Sequence, residues 1–350
     1  MKKIFALILS MLVFCCILRS ADYPKEINLG LTGNPYNKPF VSGAFGYAKE
    51  AGLFEKEFAK DGIKVNFKMY KGFGPAINEA LANKTVDFGA YGDLCGVVSK
   101  AGGLKIYVLA LTGGSGDTYI AVPYDSKAKS IEDLKGKKVA LAKGTYMDLS
   151  FNKIIFDRGL KEKDFKIINL TAIDGLAALA GGVVDAQAGS SSTLELVRTN
   201  RARIIYSTAG PDAPDAYRSF GEIVVREDFE KKYPDIVKRV IKVIAQANLY
   251  ITDEKNREKA VALTLKTGVP EALIRKELGN KSLRWVYGLS IDKDAVARLK
   301  ETVKFVKDRG MIRKDIDVDE WVKPQYLTEA YGELGVKNSW SLPISEHYIK

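Results

Sequence analysis

Short β-type runs alternate with helical patterns through most of this chain, and the connections between them are only a few residues long. Glu26 to Leu31, Lys64 to Tyr70, Val86 to Ala90 and Ile106 to Leu111 read as strands. Helical patterns lie between them: one from Phe40 to Phe58, one opened by Gly72-Phe73-Gly74-Pro75, and one capped by Asp93. A second alternation follows, with strands at 138–142, 165–170, 184–188 and 203–207 and helices at 146–158, 174–181 and 191–199. Such alternation in an α/β chain predicts parallel sheets covered by helices on both faces. Extended segments at 119–122 and 221–225 flank the second unit. If both cross between units, the second is an insertion in the first, and two parallel crossings make a hinge about a cleft. A chain of 350 residues is long enough for two such lobes. From Asp228 to about Lys307 the pattern is helical, with a core stripe at Ile236, Val237, Val240, Ile241 and Ile244.

The first residues read as an export signal. Lys2 and Lys3 precede an apolar run from Ile4 to Leu18, too short for the roughly 20 residues of a membrane span. Residues 1–20 are therefore expected to be a signal peptide cleaved after Ser20, which places the mature protein in the periplasm. A lipoprotein at Cys15 or Cys16 is the lesser alternative, because Phe14 stands where a small residue is wanted. Cleavage leaves Cys95 as the sole cysteine, so no internal disulfide is available. It also removes Lys2, Lys3 and Arg19, taking the formal charge from +11 to +8. That excess is spread along the chain without a basic run, which argues against nucleic acid as a partner.

The residues for common catalysis are missing. The one histidine, His347, lies four residues from the C-terminus, so a triad, a Cys–His pair or a histidine-based metal site would need the tail to fold back. No phosphate-binding glycine motif is present. No cofactor and no metal are expected.

What the pattern offers is a rim of polar groups at strand ends, where ligands of open α/β sheets bind. Its centre is Val139-Ala140-Leu141-Ala142-Lys143-Gly144-Thr145-Tyr146, a strand, a glycine turn and a helix start. The first amides of a helix have no helical partner and carry partial positive charge, so they suit a small anion. The candidate ligand-binding residues are Asn34, Pro35, Tyr36, Phe73, Gly74, Tyr91, Gly92, Asp93, Ser115, Gly144, Thr145, Tyr146, Ser190 and Ser191. Gly144 to Tyr146 would hold the anion through amides and the Thr145 hydroxyl, with Ser190 to Ser192 assisting. Tyr36, Phe73, Tyr91 and Tyr146 would cover an apolar tail. Arg218, near the return crossing, is a candidate counter-charge, and Trp285 a candidate cleft wall.

Several stretches resemble the periplasmic solute-binding proteins of ABC transporters for sulfonate, nitrate and taurine. They are Phe88-Gly89-Ala90-Tyr91-Gly92-Asp93, the run from Val122 through Ser130–Ala140 to Lys143-Gly144-Thr145, Val184-Asp185-Ala186, and Lys232-Tyr233-Pro234-Asp235. In that family the turn matching Gly144-Thr145 usually carries Gly-Ser and contacts the anionic head group. Where the family often has tryptophan after Asp185, Gln187 and Ser190-Ser191-Ser192 stand here. The resemblance implies a type II periplasmic-binding-protein fold: two parallel-sheet-based lobes joined by a two-strand hinge, with lobe one at 21–119 and 222–350 and lobe two at 120–221. It also implies capture of an aliphatic sulfonate such as taurine, delivery to a membrane permease by a monomer, and no catalysis. The alternatives are the same fold holding nitrate, an aromatic carboxylate or a pyrimidine vitamin precursor, or an enzyme or sensor built on it.

Overall fold

The computed structural model describes residues 23–33, 38–209 and 213–336, with the backbone alone for Gly114 and Ser115. The expected signal segment, Asn34, Pro35, Tyr36 and His347 lie outside the described residues. Among the described residues no helix is long and apolar enough to cross a membrane.

Strands β1 (Glu26–Thr32), β2 (Lys64–Tyr70), β3 (Phe88–Gly92), β4 (Ile106–Gly116), β10 (Ser219–Arg226) and β11 (Leu289–Ser290) form one sheet, in the order β11-β4-β10-β3-β1-β2. Strands β5 (Tyr119–Pro123), β6 (Lys138–Leu141), β7 (Lys166–Asn169), β8 (Ala186–Gly189) and β9 (Ala202–Ser207) form the other, in the order β7-β6-β8-β5-β9. The sheets are mixed rather than purely parallel. β1 pairs parallel with β2 and β3, and β6 with β7 and β8. β10 and β5 run antiparallel to their neighbours. The physical reason is the insertion itself: β10 returns from the second sheet and enters the first between β3 and β4, against their direction.

The strand expected to end at Leu111 continues through the glycine-rich run to Gly116. Its glycines serve close approach rather than turning. A Cβ on Gly113 would stand 2.1 Å from the Val286 carbonyl oxygen, and the Gly113 amide donates to Gly288 O at 2.7 Å.

Helices cover both sheets, as the alternation dictates. α1 (Gly43–Glu50), α2 (Leu53–Phe58), α3 (Phe73–Ala82) and α4 (Asp93–Ala101) flank the first sheet. α5 (Tyr146–Asp157), α6 (Ala172–Ala180) and α7 (Leu194–Arg198) flank the second. The C-terminal helices are α8 (Glu227–Lys232), α9 (Pro234–Ile251), α10 (Arg257–Leu265), α11 (Glu271–Leu278), α12 (Leu283–Tyr287), α13 (Lys293–Asp308), α14 (Val318–Trp321) and α15 (Gln325–Glu333). α9 starts on proline and buries Ile236, Val237, Val240, Ile241 and Ile244 against α1 and α15. Each sheet has its own apolar core, one around Ile27, Leu29 and Trp321, the other around Phe151 and Ile154.

The chain passes between sheets twice, at 117–118 and 208–218. The passages are laced together: the Thr118 amide donates to Thr208 Oγ1 at 2.8 Å, and the Thr208 amide to Thr118 O at 3.0 Å. Tyr119 already pairs in the second sheet, and Ser219 already pairs in the first.

Candidate functional site

Between the two sheets lies a cavity of about 340 Å³. Phe73, Gly74, Tyr91 and Gly92 line it from the first sheet's side, and Thr145, Tyr146 and Met147 from the second's. The halves touch here: a Cβ on Gly92 would meet the Tyr146 Cβ at 3.1 Å. A second chamber of about 320 Å³ adjoins it, sharing Ser42, Thr112, Tyr146 and Tyr287, and adding Ser219, Thr264 and Glu277. Among the described residues no lysine or arginine lines either chamber.

α5 begins in this cavity because β6 ends at Leu141 and Gly144 turns the chain with φ +73°. Thr145 is the helix cap, but its hydroxyl donates to Ala142 O at 2.7 Å instead of capping an amide. Among the described residues no hydrogen bond is made by the amides of Thr145, Tyr146 and Met147. Gly144 departs from expectation. Its amide donates to Asp148 Oδ2 at 3.0 Å, its carbonyl accepts from Cys95 Sγ at 3.0 Å, and it lines a different cavity beside Arg309. The cause is Lys143, which binds Asp148 at 2.8 Å and Glu162 at 2.7 Å and so pulls the Asp148 carboxylate under the turn. The donor set that faces the cavity is thus shifted by one residue, to 145–147.

Other expected residues are engaged elsewhere. Arg218 is no counter-charge for a ligand: its Nε donates to Thr208 O at 3.0 Å, and its guanidinium meets Asp117 and Asp215 in the buried crossing. Ser190 bonds to Ser192 at 3.0 Å, and neither Ser190 nor Ser191 lines the cavity. Asp93 is wholly buried, accepting from the Leu94 amide at 3.0 Å and Ser219 Oγ at 2.5 Å. Burial raises its carboxyl above the ordinary range, against the pull of Lys153 and Arg298. Trp285 is buried beside Arg298 rather than in the cleft wall. Of Ser115 only the backbone, within β4, is described.

The sequence reading missed Glu222. It sits in β10 opposite Tyr91 and Leu111, is 0% exposed and lines the wall of the larger chamber. Among the described residues neither of its carboxyl oxygens has a hydrogen-bond partner. Burial, and then the charge of Asp93, lift its carboxyl well above the usual range, which favours the neutral acid. α4 makes room for it with Gly96, where a Cβ would come within 1.7 Å of Glu222 Oε2. The signal was present: an acid leads directly into Ile223-Val224-Val225, a run that reads as buried strand. Phe73 adds a second unforeseen feature. It is a non-glycine residue at φ +53°, a strained backbone at a cleft wall. Tyr287 and Glu277, from the helical C-terminal part, could not be placed without the tertiary structure.

The NMT1/THI5-like family model matches residues 42–257. A Bacillus subtilis protein named as an aliphatic sulfonates-binding protein is 29% identical over 289 residues, covering 82% of this chain and 84% of that one. Among solved structures, a periplasmic sulfonate-binding protein of an ABC transporter from Methylobacillus flagellatus is 29% identical, with a TM-score of 0.73, covering 91% of this chain and 98% of that one. The alkanesulfonate-binding protein of Xanthomonas axonopodis, solved with MOPS bound, shares the fold with a TM-score of 0.72 at 22% identity, covering 87% of this chain and all of that one.

Proposed function

The chain belongs to the NMT1/THI5-like family, and from that premise we propose that it is the extracytoplasmic receptor of an ABC importer that captures a small organic anion, an aliphatic sulfonate, between its two lobes. One observation carries the reading: the Thr145, Tyr146 and Met147 amides, at the start of a 12-residue helix, have no acceptor among the described residues and border an interlobe cavity. Three such donors at about 1.5–3 kcal/mol each for a charged acceptor approach the ~8 kcal/mol of micromolar affinity. Phe45, Phe73, Ile244 and Leu289 would cover the alkyl part.

In this reading the passages at 117–118 and 208–218 act as the hinge, with 119–207 as the moving lobe. Residues 1–20 direct export, and the closed form presents both lobes to a membrane permease. Capture is not followed by reaction. The cavity's one sulfur nucleophile, Cys95, is buried, its thiol pushed far up by burial and then by Glu222, Asp93 and Asp148, so the reactive thiolate is disfavoured.

Isothermal calorimetry on the purified protein tests the proposal with ethanesulfonate, taurine, sulfate, nitrate and benzoate. Sulfonate heat at micromolar affinity is the expected result. Heat with benzoate alone would give the cavity to aromatic carboxylates, and no heat with any sulfonate would overturn the proposal.

A further inference from the structure

A third cavity, of about 240 Å³, lies at the return passage, where α5 of the second lobe meets α13 of the first. Lys153 and Phe156 line it from α5, Tyr217 from the passage, Phe220 from β10, and Arg298 and Phe305 from α13. It shares Phe220 alone with the smaller chamber of the cleft and no residue with the larger.

Its two cations are unanswered. Lys153 and Arg298 are both half-buried, and among the described residues neither makes an ion pair or a hydrogen bond. Burial lowers the pKa of Lys153 most, and Arg298 pushes it the same way against the pull of Asp93. Burial likewise lowers Arg298. The acids nearby are engaged or apart. Asp157 accepts from the Tyr217 hydroxyl at 2.5 Å, and Asp215 is paired with Arg218. Asp93 is held by the Leu94 amide and Ser219. Glu301 is exposed on α13 and attracts both cations without pairing with either. Two like charges kept close in a protein interior without a counter-ion are costly, and one bound anion would answer both.

The rest of the lining says what kind of anion fits. Three carboxyl groups share the wall, which disfavours a second negative charge on the ligand. Three phenylalanine rings favour an apolar body. Cations already lie over those rings: Arg309 over Phe156, Arg298 over Phe220 at 5.2 Å, and Lys153 over Phe305 at 6.0 Å. What remains for a ligand is ring edges, a lining for an alkyl chain rather than for a stacked ring.

We propose that this cavity is a second ligand site, which takes a short alkyl carboxylate with its head group between Lys153 and Arg298 and its chain among Phe156, Phe220 and Phe305. The site is separate from the cleft and does not depend on what the cleft binds.

Calorimetry at pH 7 with butanoate and hexanoate tests it, with 1-butanol and 1-hexanol as uncharged partners and inorganic phosphate as an anion without a chain. One charge-assisted hydrogen bond corresponds to roughly a tenfold to hundredfold preference. The wild-type protein is expected to hold one carboxylate at least about tenfold tighter than its alcohol and than phosphate. Lys153→Gln and Arg298→Gln are each expected to weaken that carboxylate at least about tenfold while keeping the native circular dichroism spectrum. No heat with either carboxylate, or alcohols bound as tightly as the acids, would overturn the site. Phosphate bound as tightly as the carboxylates would overturn the alkyl class. Unchanged carboxylate affinity in both variants would place the binding elsewhere, the cleft included, and so overturn the proposal as well. Should a variant fail to fold, a crystal structure of the wild-type protein with the tighter carboxylate decides: its head group is expected at Lys153 and Arg298, and a head group at the start of α5 instead would refute the site.

Discussion

Asp117 and Glu222 are both acids buried to 2% exposure or less, yet they sit in opposite electrostatic situations. Asp117, at the first passage between sheets, is met by Arg218 at 3.5 Å, by Lys281 and by the Thr208 hydroxyl at 3.3 Å. Glu222, at the cavity wall, is met by no cation, and neither oxygen has a partner among the described residues. Burial alone therefore says little about a charged group's role; what matters is whether the protein has answered it. At the crossing the answer is complete and its product is a fixed geometry between the lobes. At the cavity the protein leaves the acid without a counter-charge among the described residues and keeps donors open at Thr145 to Met147.

The sharpest way to break this comparison is Asp117→Asn. It leaves Arg218 and Lys281 buried with less than their counter-charge, which costs about 3–5 kcal/mol. Urea denaturation monitored by circular dichroism reads it directly, and a loss below about 1 kcal/mol would mean the crossing is no more dependent on its charge than a surface pair. Next comes Gly96→Ala. The added methyl collides with Glu222 Oε2, an overpacking cost of about 1–3 kcal/mol. The double variant with Glu222→Ala should recover most of it; failure of that rescue would place the strain in the α4 backbone instead.

The third test uses pH. Glu222 has its folded-state pKa raised above the ordinary 4.5, so above that value the folded protein holds a proton that the unfolded chain has lost. Stability then falls as pH rises, by up to about 1.4 kcal/mol per pH unit for one such group. Asp93 and Asp148 are shifted the same way, so Glu222→Leu should flatten the slope between about pH 5 and 8 without abolishing it. An unchanged slope would mean that Glu222 titrates as an ordinary carboxylate. Denaturation midpoints across that pH range supply the measurement.

Much of the scaffold was legible because it follows from period and punctuation. The strands and the core stripe of α9 lie where alternation, turn residues and helical spacing place them. The α5 start was legible for the same reason, since a strand, a glycine and a hydroxyl residue leave the backbone few options. What was hidden depends on long-range partners. Gly144 reads as a donor for a ligand, but a lysine and two acids nearby capture its amide through Asp148. Arg218 reads as free charge, but the fold brings Asp117 to it from 101 residues earlier. The strand through Gly113 could not be read past Leu111, because the α12 backbone that needs a glycine there lies far along the chain. Glu222 and Glu277 face the cleft only because a returning strand and a C-terminal helix are brought there.

The same contrast between answered and unanswered polar groups gives the smallest and most discriminating prediction, at Thr145. From sequence its hydroxyl should touch the ligand. In the structure the hydroxyl is already bonded to Ala142 O, while the amide of the same residue is open. Thr145→Ala removes the answered group and keeps the open one. It should lower stability by about 1 kcal/mol, the usual worth of one buried hydrogen bond, and change ethanesulfonate affinity less than about threefold, because the backbone donors remain. Calorimetry and thermal unfolding on one preparation read both quantities. A tenfold loss of affinity with stability unchanged would reverse the assignment: the hydroxyl would leave Ala142 on binding, and side chains, not amides, would be reading the head group.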